Sequence, residues 1–323
     1  MHSGACFQRF SYSGLDPSLA CDVVYGGHFE HRLLSARHSS MRHQRFALQN
    51  MVLETGSYDF PVVACGVMPK EMLCIGIVAE GAEMTRYNTT SIHADEVQIY
   101  APGAELLYHA SGSSRWISFL VPETLLQSAA IAQTGRPLLL PKRGTMATRL
   151  SVGGRARLVQ LVDDAFALGR ALQPSGISDV LADSIFCGLI DNYVAALSVS
   201  TLADKKRIST AQKHLSLILA CERLALTEDM SSLELEIIAK RSGYSRRALE
   251  LIFNSATGMP PGRWFMNIRL NGVMRDLLTA PEGCLVSDIA ARWGFRHFSR
   301  FAHQYRRVFG ELPSETMRRA NSR

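Results

Sequence analysis

The stretch DIAARWGFRHFSRFAHQYRRVFG, residues 288–310, combines five arginines and two histidines with six aromatic residues. Its apolar residues recur every three or four positions, which predicts a helix with one buried face. That face would contain Phe298, Phe301, Tyr305 and either Val308 or Phe309. The opposite face would carry Arg296, Ser299, Arg300, His303 and Arg307. Such a helix fits the major groove of B-DNA, where arginine pairs with guanine and serine or histidine with base edges.

The same pattern occurs earlier in the chain. The segment IAKRSGYSRRALELIFNSATGMPP (238–261) matches IAARWGFRHFSRFAHQYRRVFGELP (289–313) in kind at nearly every structural position. Each copy predicts a short helix, a turn at Gly243 or Gly294, and a second helix, which is the order of a helix-turn-helix. Glycine at these turns tolerates the positive φ that a sharp reversal requires. The repeat therefore predicts two such units in one chain.

The second helix of the earlier copy is less basic than that of the later copy. Its exposed residues would be Arg246, Arg247, Glu250 and Asn254. We favour direct base contact by the two arginines. Glu250 either accepts a hydrogen bond from N4 of cytosine or weakens contact with the phosphates.

The segment between the two copies predicts a long connecting helix. Pro260 and Pro261 stand at its start, where a missing N–H costs little, and Pro281 and Gly283 end it. A helix of about 20 residues spans about 30 Å. That length is close to the ~34 Å between successive major-groove faces on one side of DNA.

These features together resemble the DNA-binding domain of AraC/XylS-type transcriptional regulators over about residues 230–319. The resemblance rests on the tandem repeat, on Arg269-Leu270 in the spacer, and on the ending VFGELPSETMRR (308–319). It implies seven helices, recognition helices at 245–256 and 297–309 in adjacent major grooves, and bending of the DNA. Carried over by position, the base-facing residues would be Arg246, Arg247, Glu250, Ser299, Arg300 and His303. Arg296 and His297, at the start of the later helix, would reach phosphate.

The charge distribution agrees with an anionic partner for one part of the chain. The formal charge is +6, but residues 201–323 hold 20 Lys+Arg against 12 Asp+Glu, and residues 1–200 hold 15 against 17. Double-stranded DNA is the first candidate partner. A solvated basic surface is the alternative that charge alone leaves open.

The front of the chain predicts β-structure followed by helices, and hence an α+β protein. Short apolar runs bounded by turn residues fill residues 1–150, and two helical patterns follow between 155 and 197. The resemblance implies a cupin-like β-barrel that binds an effector, with helices that dimerise it. We expect this domain at 1–200, a linker at 201–207 and the DNA-binding domain at 208–323, with its units at about 233–257 and 286–309. The helical stripes pack either on their own domain or against a second subunit.

Candidate ligand sites in the front domain are less specific. Strand alternation suggests an effector pocket lined by Tyr100, Tyr108, Trp116 and Phe119. His93, Glu96 and His109 are the nearest approach to a cupin metal set, but they lack the HxH pattern with a spaced Glu. We expect no metal, no cofactor and no enzymatic activity, because motifs for catalysis or nucleotide binding are missing from the sequence.

The sequence thus predicts a transcriptional activator that responds to a small molecule, forms a homodimer and contacts RNA polymerase. Seven scattered cysteines fit free thiols in a reducing cytoplasm, and we find neither a signal peptide nor a long apolar run that predicts a membrane partner. Two alternatives stay open. One is a cupin-type metalloenzyme with a basic tail that binds nucleic acid or a partner, and the other is a DNA-architectural protein without an effector.

Overall fold

The computed structural model describes residues 5–13, 23–35, 40–173, 176–203, 205–227, 235–281 and 283–321. The strands are β1 (Cys6–Ser13), β2 (His28–Leu33), β3 (Ser40–Leu48), β4 (Met51–Tyr58), β5 (Val62–Val67), β6 (Leu73–Glu80), β7 (Thr85–Tyr87), β8 (Thr90–Ser91), β9 (Glu96–Tyr100), β10 (Glu105–Ala110), β11 (Ser114–Val121), β12 (Thr145–Arg149) and β13 (Thr201–Leu202). The helices are α1 (Glu123–Thr134), α2 (Gly154–Leu172), α3 (Asp179–Ser198), α4 (Lys205–Thr227), α5 (Leu235–Ser242), α6 (Arg246–Thr257), α7 (Pro261–Leu278), α8 (Val286–Arg292), α9 (Phe298–Phe309) and α10 (Pro313–Asn321). The predicted α+β layout, with strands first and helices last, is confirmed.

The strands form two antiparallel sheets that face each other. The larger sheet has the order β1-β3-β4-β11-β6-β9-β12-β13, and the smaller has the order β2-β5-β10-β7-β8. Between them lies an apolar core to which Met41 and Trp116 contribute from the larger sheet and Phe29 and Tyr108 from the smaller. The expected cupin-like barrel therefore takes the form of two facing sheets. Among the described strands, none is paired with strands of both sheets.

Alternation along the strands gives the larger sheet two buried faces. On β11, Trp116 and Leu120 point into the core between the sheets, whereas Ile117 and Phe119 point to the opposite side. That opposite side packs against α1, α2 and α3 in a second core. Both faces are apolar because both are covered.

Three residues of the apolar stripe predicted for α3 pack on their own domain. Leu189, Tyr193 and Leu197 are buried against the larger sheet, and the Tyr193 ring stacks on Phe119 at a centroid distance of 4.3 Å. Any contact of α3 with a second subunit would have to use its outward face. Helix α3 is long and apolar enough to cross a membrane, by length and composition alone. A third of its most apolar 18-residue segment is buried inside the protein.

The segment predicted as a linker carries regular structure. Thr201 and Leu202 form β13 against β12, and α4 begins at Lys205, whereas residue 204 lies outside the described residues. Seven helices, α4 to α10, follow among the described residues, which is the number that the resemblance implies.

The two helix-turn-helix units have matching turns. Tyr244 N donates to Ala239 O at 3.1 Å, and Phe295 N donates to Ala290 O at 3.0 Å. Gly243 and Gly294 precede these residues with φ of 74° and 77°. This is the left-handed conformation predicted for the turns. The first unit comprises α5 and α6, and the second comprises α8 and α9; residues 228–234, which include the predicted start of the first unit, lie outside the described part.

Candidate nucleic-acid interface and interior cavity

Helix α9 presents the basic surface predicted from the sequence. Phe301, Tyr305 and Phe309 are buried, and the Tyr305 hydroxyl is hydrogen-bonded to Thr316 Oγ1 at 2.9 Å. Four predicted DNA-contacting side chains of the helix are exposed: Ser299, Arg300, His303 and Arg307. The apolar face therefore fixes the helix to its domain, and the polar face is available to a partner.

The prediction that Phe298 belongs to the buried face was wrong. Phe298 is the first residue of α9 and is 46% exposed. The core position beside Phe301 is filled instead by Phe295 from the turn, at a ring-centroid distance of 4.7 Å. Two of the predicted phosphate contacts lie next to Phe298, since His297 is the N-cap of α9 and Arg296 precedes it, both exposed. A helix N-terminus carries partial positive charge, so cations here add to a surface that attracts phosphate.

Helix α6 differs because its charges pair with one another. The side chain of Ser245 caps the helix by accepting from Ala248 N at 3.2 Å. Arg246 donates through Nη1 to Glu236 Oε1 at 2.5 Å and through Nε to Glu250 Oε1 at 3.1 Å. Hydrogen bonding to Arg246 lowers the pKa of Glu236. Two residues predicted to contact bases separately, Arg246 and Glu250, thus form one ion-pair network, while Arg247 is exposed beside them.

Comparison of the two units reveals a residue that the sequence analysis missed. The buried pair Leu249 and Phe253 of α6 occupies the same positions as Phe301 and Tyr305 of α9. With the units aligned on these pairs, Leu251 takes the position of His303, and it is 64% exposed. The four-residue spacing from Leu249 to Phe253 and from Phe301 to Tyr305, together with the one extra residue between the glycines of the later copy, was the signal in the sequence.

Helix α7 connects the two units. It spans 18 residues from Pro261, with Pro260 as its N-cap, and is therefore about 27 Å long. Gly272 lies against the Trp293 indole of the second unit, where a Cβ would come within 2.2 Å of the ring. Trp293 Nε1 also donates to Asp276 Oδ2 of α7 at 2.9 Å. These contacts fix the second unit on the connecting helix.

The same helix is bonded to the edge strand β2 of the smaller sheet. Leu33 N donates to Asn271 Oδ1 at 2.8 Å, and Leu33 O accepts from Asn271 Nδ2 at 3.1 Å and Asn267 Nδ2 at 3.2 Å. The Asn271 amide thus takes the place that a neighbouring strand would have. Because an edge strand otherwise leaves backbone groups unpaired, these bonds attach α7 to the sheet.

A buried ion pair reinforces this attachment. Arg32 Nη1 and Nη2 donate to Glu222 Oε1 and Oε2 of α4 at 2.8 and 3.0 Å, and Trp264 Nε1 donates to Glu222 Oε1 at 2.6 Å. Burial alone would lower the pKa of Arg32, but the Glu222 carboxylate raises it above its usual range. The front domain is therefore held to α4 of the DNA-binding domain by a buried charged pair.

Between the two sheets lies a small cavity of about 30 Å³. Its aromatic lining comprises Phe29, Tyr58, Tyr87, Tyr100, Tyr108 and Trp116. Three of the four residues proposed for an effector pocket, Tyr100, Tyr108 and Trp116, thus line one cavity. The inclusion of Phe119 was wrong, because it lies three residues from Trp116 on the same strand and so points to the opposite face of the sheet, against Tyr193.

The three residues nearest to a cupin metal set do not converge. Glu96 Oε1 accepts from Arg149 Nη2 at 3.3 Å on the larger sheet, while His109 lies on the smaller sheet with its ring 6.4 Å from that of Trp264. His93 contributes only its backbone N–H to Glu96 Oε2, at 3.4 Å. Within the described ranges, no group of three His, Cys, Asp or Glu side chains could hold a metal ion.

Comparison with known proteins places residues 238–319 in a helix-turn-helix domain family. The chain is 42% identical over 82 residues to the probable thc operon regulatory protein of Rhodococcus erythropolis, a match that covers 25% of each chain. It is 38% identical over 88 residues to the XylDLEGF operon transcriptional activator 2 of Pseudomonas putida, covering 27% of this chain and 55% of that one. A solved transcriptional regulator of the AraC-type DNA-binding class from Chromobacterium violaceum is 25% identical with a TM-score of 0.31, over 35% of this chain and 96% of that one. The match thus spans between a quarter and about half of these curated relatives.

Proposed function

We propose that this chain, whose C-terminal part is an AraC-type helix-turn-helix domain, is a sequence-specific DNA-binding transcriptional regulator. The observation that carries the proposal is the pair of recognition helices, α6 and α9, with unlike exposed faces on one connecting helix of about 27 Å. Two unlike exposed faces suit a particular asymmetric site. The proposal assigns the chain no catalytic activity and no metal.

In this proposal α9 supplies most of the affinity for DNA. Arg300 pairs with guanine, Ser299 and His303 contact base edges, and Arg307 with Arg296 and His297 neutralises phosphates. In α6, Arg247 and Leu251 contact bases, and Leu251 suits the 5-methyl group of thymine because its exposed side chain is apolar. Arg246 reaches DNA only when it leaves Glu236 and Glu250, so these two carboxylates weaken contact between the first unit and DNA.

The second part of the proposal is an effector that binds between the sheets and changes DNA binding. Strand β2 supports this idea because its side chains face the cavity on one side of the strand and the DNA-binding domain on the other. Phe29 lines the cavity and His31 bonds to the cavity residue Tyr58, whereas Arg32 faces Glu222 of the DNA-binding domain. A ligand that shifts β2 therefore alters the bonds that hold α4 and α7.

We further propose a cytoplasmic homodimer that activates transcription through contact with RNA polymerase. Relatives named as transcriptional activators support the direction of regulation. Since the inner stripe of α3 is buried within its own domain, a dimer contact would use the outward face of that helix, where Val180 is exposed. The oligomeric state in solution, with and without residues 1–200, tests this part.

The experiment that tests the central proposal is binding of the full-length protein to genomic DNA fragments at two salt concentrations, followed by sequencing of the bound fragments. We expect enrichment of a few promoter sites that persists at the higher salt. Arg300→Ala should lose this enrichment, and Arg136→Ala should keep it, because Arg136 is exposed in the front domain. Uniform binding that salt abolishes would show phosphate contact alone and contradict the proposal.

A further inference from the structure

Exposed apolar side chains of the DNA-binding domain concentrate at its recognition helices. Among residues 235–281 and 283–321, the exposed large apolar side chains are Tyr244, Leu251, Leu285 and Phe298. Leu251 and Phe298 lie on α6 and α9, and Tyr244 directly precedes the N-cap of α6. Single exposed apolar residues are common on protein surfaces, so their position on the recognition helices is the informative part.

Phe298 continues the apolar stripe of α9 beyond the core of the second unit. It stands three residues before Phe301, on the side of the helix that is buried further along, yet it is 46% exposed. The core ends before Phe298 because the Phe295 ring packs against Phe301 and fills the adjacent place. Nearly half of Phe298 therefore lies outside the packing of its own domain.

The direction of the Phe298 side chain follows from its place as the first residue of α9. Side chains of a helix lean toward its N-terminus, so the first residue projects past the end of the first turn. The neighbours there are His297, the N-cap, and Arg296, both exposed. In a helix-turn-helix domain the N-terminal residues of the second helix are those that meet base edges. The Phe298 ring thus lies at the end of α9 that enters the major groove in the proposed function.

The equivalent place in the first unit shows that the fold does not require an aromatic ring here. With the units aligned on their buried pairs, Phe298 takes the position of Arg246, the first residue of α6. Arg246 is exposed, and its partners are the carboxylates of Glu236 and Glu250. The same helix end takes an arginine in one unit and a phenylalanine in the other, as expected of a position that specifies a contact and not the fold.

The chemistry of the ring selects the part of DNA that it can contact. The Phe298 ring carries no conventional hydrogen-bonding group, so it cannot pair with the donors and acceptors on the base edges. The apolar group that a base presents in the major groove is the 5-methyl group of thymine. Without a charge or a donor, the ring adds nothing to phosphate binding either.

We propose that Phe298 reads thymine, through contact of its ring with the 5-methyl group, in the half of the DNA site that α9 occupies. This contact rests on the proposed function, in which α9 lies in a major groove. It adds an apolar contact to the hydrogen-bonding residues of α9, as Leu251 does in α6. Each unit then combines hydrogen bonds to bases with one methyl contact.

The test is a uracil scan of a bound site. The probe is the genomic fragment that the full-length protein selects most strongly, shortened to the segment that the protein protects. Each thymine is replaced in turn by deoxyuridine, which lacks only the 5-methyl group. We expect one replacement in the half contacted by α9 to weaken binding about fourfold, the factor that corresponds to burial of one methyl-sized group. With Phe298→Ala the same replacement should cost nothing, because the contact is already absent.

Two further variants separate a base contact from a change in the fold. Phe298→Leu keeps an apolar side chain and should keep most of the uracil penalty. Leu285→Ala is the matched control and should keep all of it, since Leu285 is 59% exposed in the same unit but is the N-cap of α8. A uracil penalty that arises from the stiffness of the DNA would persist in every variant, so only a penalty that Phe298→Ala removes assigns the contact.

The outcomes separate failure of the thymine contact from failure of the proposed function. Uracil penalties that are the same in Phe298→Ala and in the unaltered protein would overturn the contact, while selective binding would still support the regulator. A penalty that Leu285→Ala also removes would show an effect of the variants on the fold and would overturn the contact as well. Selection of no fragment over the rest of the genome would overturn the proposed function, and the thymine contact with it.

Discussion

The two helix-turn-helix units are alike inside and different outside. Both turn through a glycine with φ near 75°, and both bury a pair of residues four apart in the second helix. On the surface, α9 presents Arg300 and His303, whereas α6 presents Leu251 and an arginine already bonded to two carboxylates. The comparison shows that buried positions specify the supporting fold, while the exposed positions have diverged to different contacts. It also implies unequal shares of DNA affinity.

The largest expected effect is on stability, and it distinguishes a buried ion pair from an exposed one. Arg32→Ala should lower the free energy of unfolding by about 3–5 kcal/mol, because it leaves the Glu222 carboxylate buried without its cation. Arg246→Ala removes an exposed arginine with two carboxylate partners and should cost far less, because solvent screens exposed ion pairs. Denaturant unfolding of both variants measures the difference. Similar losses would mean that the pair at Arg32 is not shielded from water.

The next effect concerns the turn of the second unit. Gly294→Val places a β-branched residue at φ 77° and should destabilise the protein by about 1–3 kcal/mol. Gly188→Val in α3 is the control, since a Cβ there meets open space and the change should stay within about 0.5 kcal/mol. Thermal unfolding of both proteins provides the measurement. An unchanged melting temperature for Gly294→Val would contradict the assignment of a turn at Gly294.

The unequal contributions of the two recognition helices to DNA affinity can be measured directly. Arg300→Ala should lose about 1–3 kcal/mol at the specific site and leave nonspecific binding nearly unchanged. Arg247→Ala, an arginine-to-alanine change at an exposed residue of α6, should lose less. Affinities for a specific fragment and a scrambled fragment at two salt concentrations distinguish these outcomes. Equal losses on every sequence would make Arg300 a phosphate contact.

The smallest effect, at Glu250, would sharpen the comparison. Glu250→Gln weakens the hold on Arg246, so the first unit gains a cation for phosphate contact. We expect DNA affinity to rise by less than about 1 kcal/mol on all sequences, with a salt dependence steeper by about one unit. Asp164→Asn, a charge change of the same sign in the front domain, is the control. A loss of affinity would instead indicate that Glu250 contacts cytosine.

The scaffold was predictable from the sequence because its signals are local. Glycine at the turns, apolar residues at helical spacing and proline at the start of α7 each act within a few residues. The exposure of Ser299, Arg300, His303 and Arg307 followed from the same spacing. The position of Leu251 was also available, but only by counting the repeat from its buried pairs.

What could not be predicted depends on contacts between distant residues. Arg32 meets Glu222 across 190 positions, and no local pattern marks either as a partner of the other. The pairing of Arg246 with Glu236 depends on how α5 packs beside α6. The error at Phe119 was different, since an odd separation from Trp116 on one strand already excludes a shared face.

The rigid connection through α7 has a consequence for the spacing that a promoter must keep. Inserting one base pair between the segments contacted by α6 and α9 lengthens the DNA by about 3.4 Å and rotates one segment by about a tenth of a turn. A continuous helix packed through Gly272 against Trp293 cannot lengthen or twist to follow. Single-base insertions within one site should therefore be far more damaging than insertions between the sites of the two protomers of the proposed dimer.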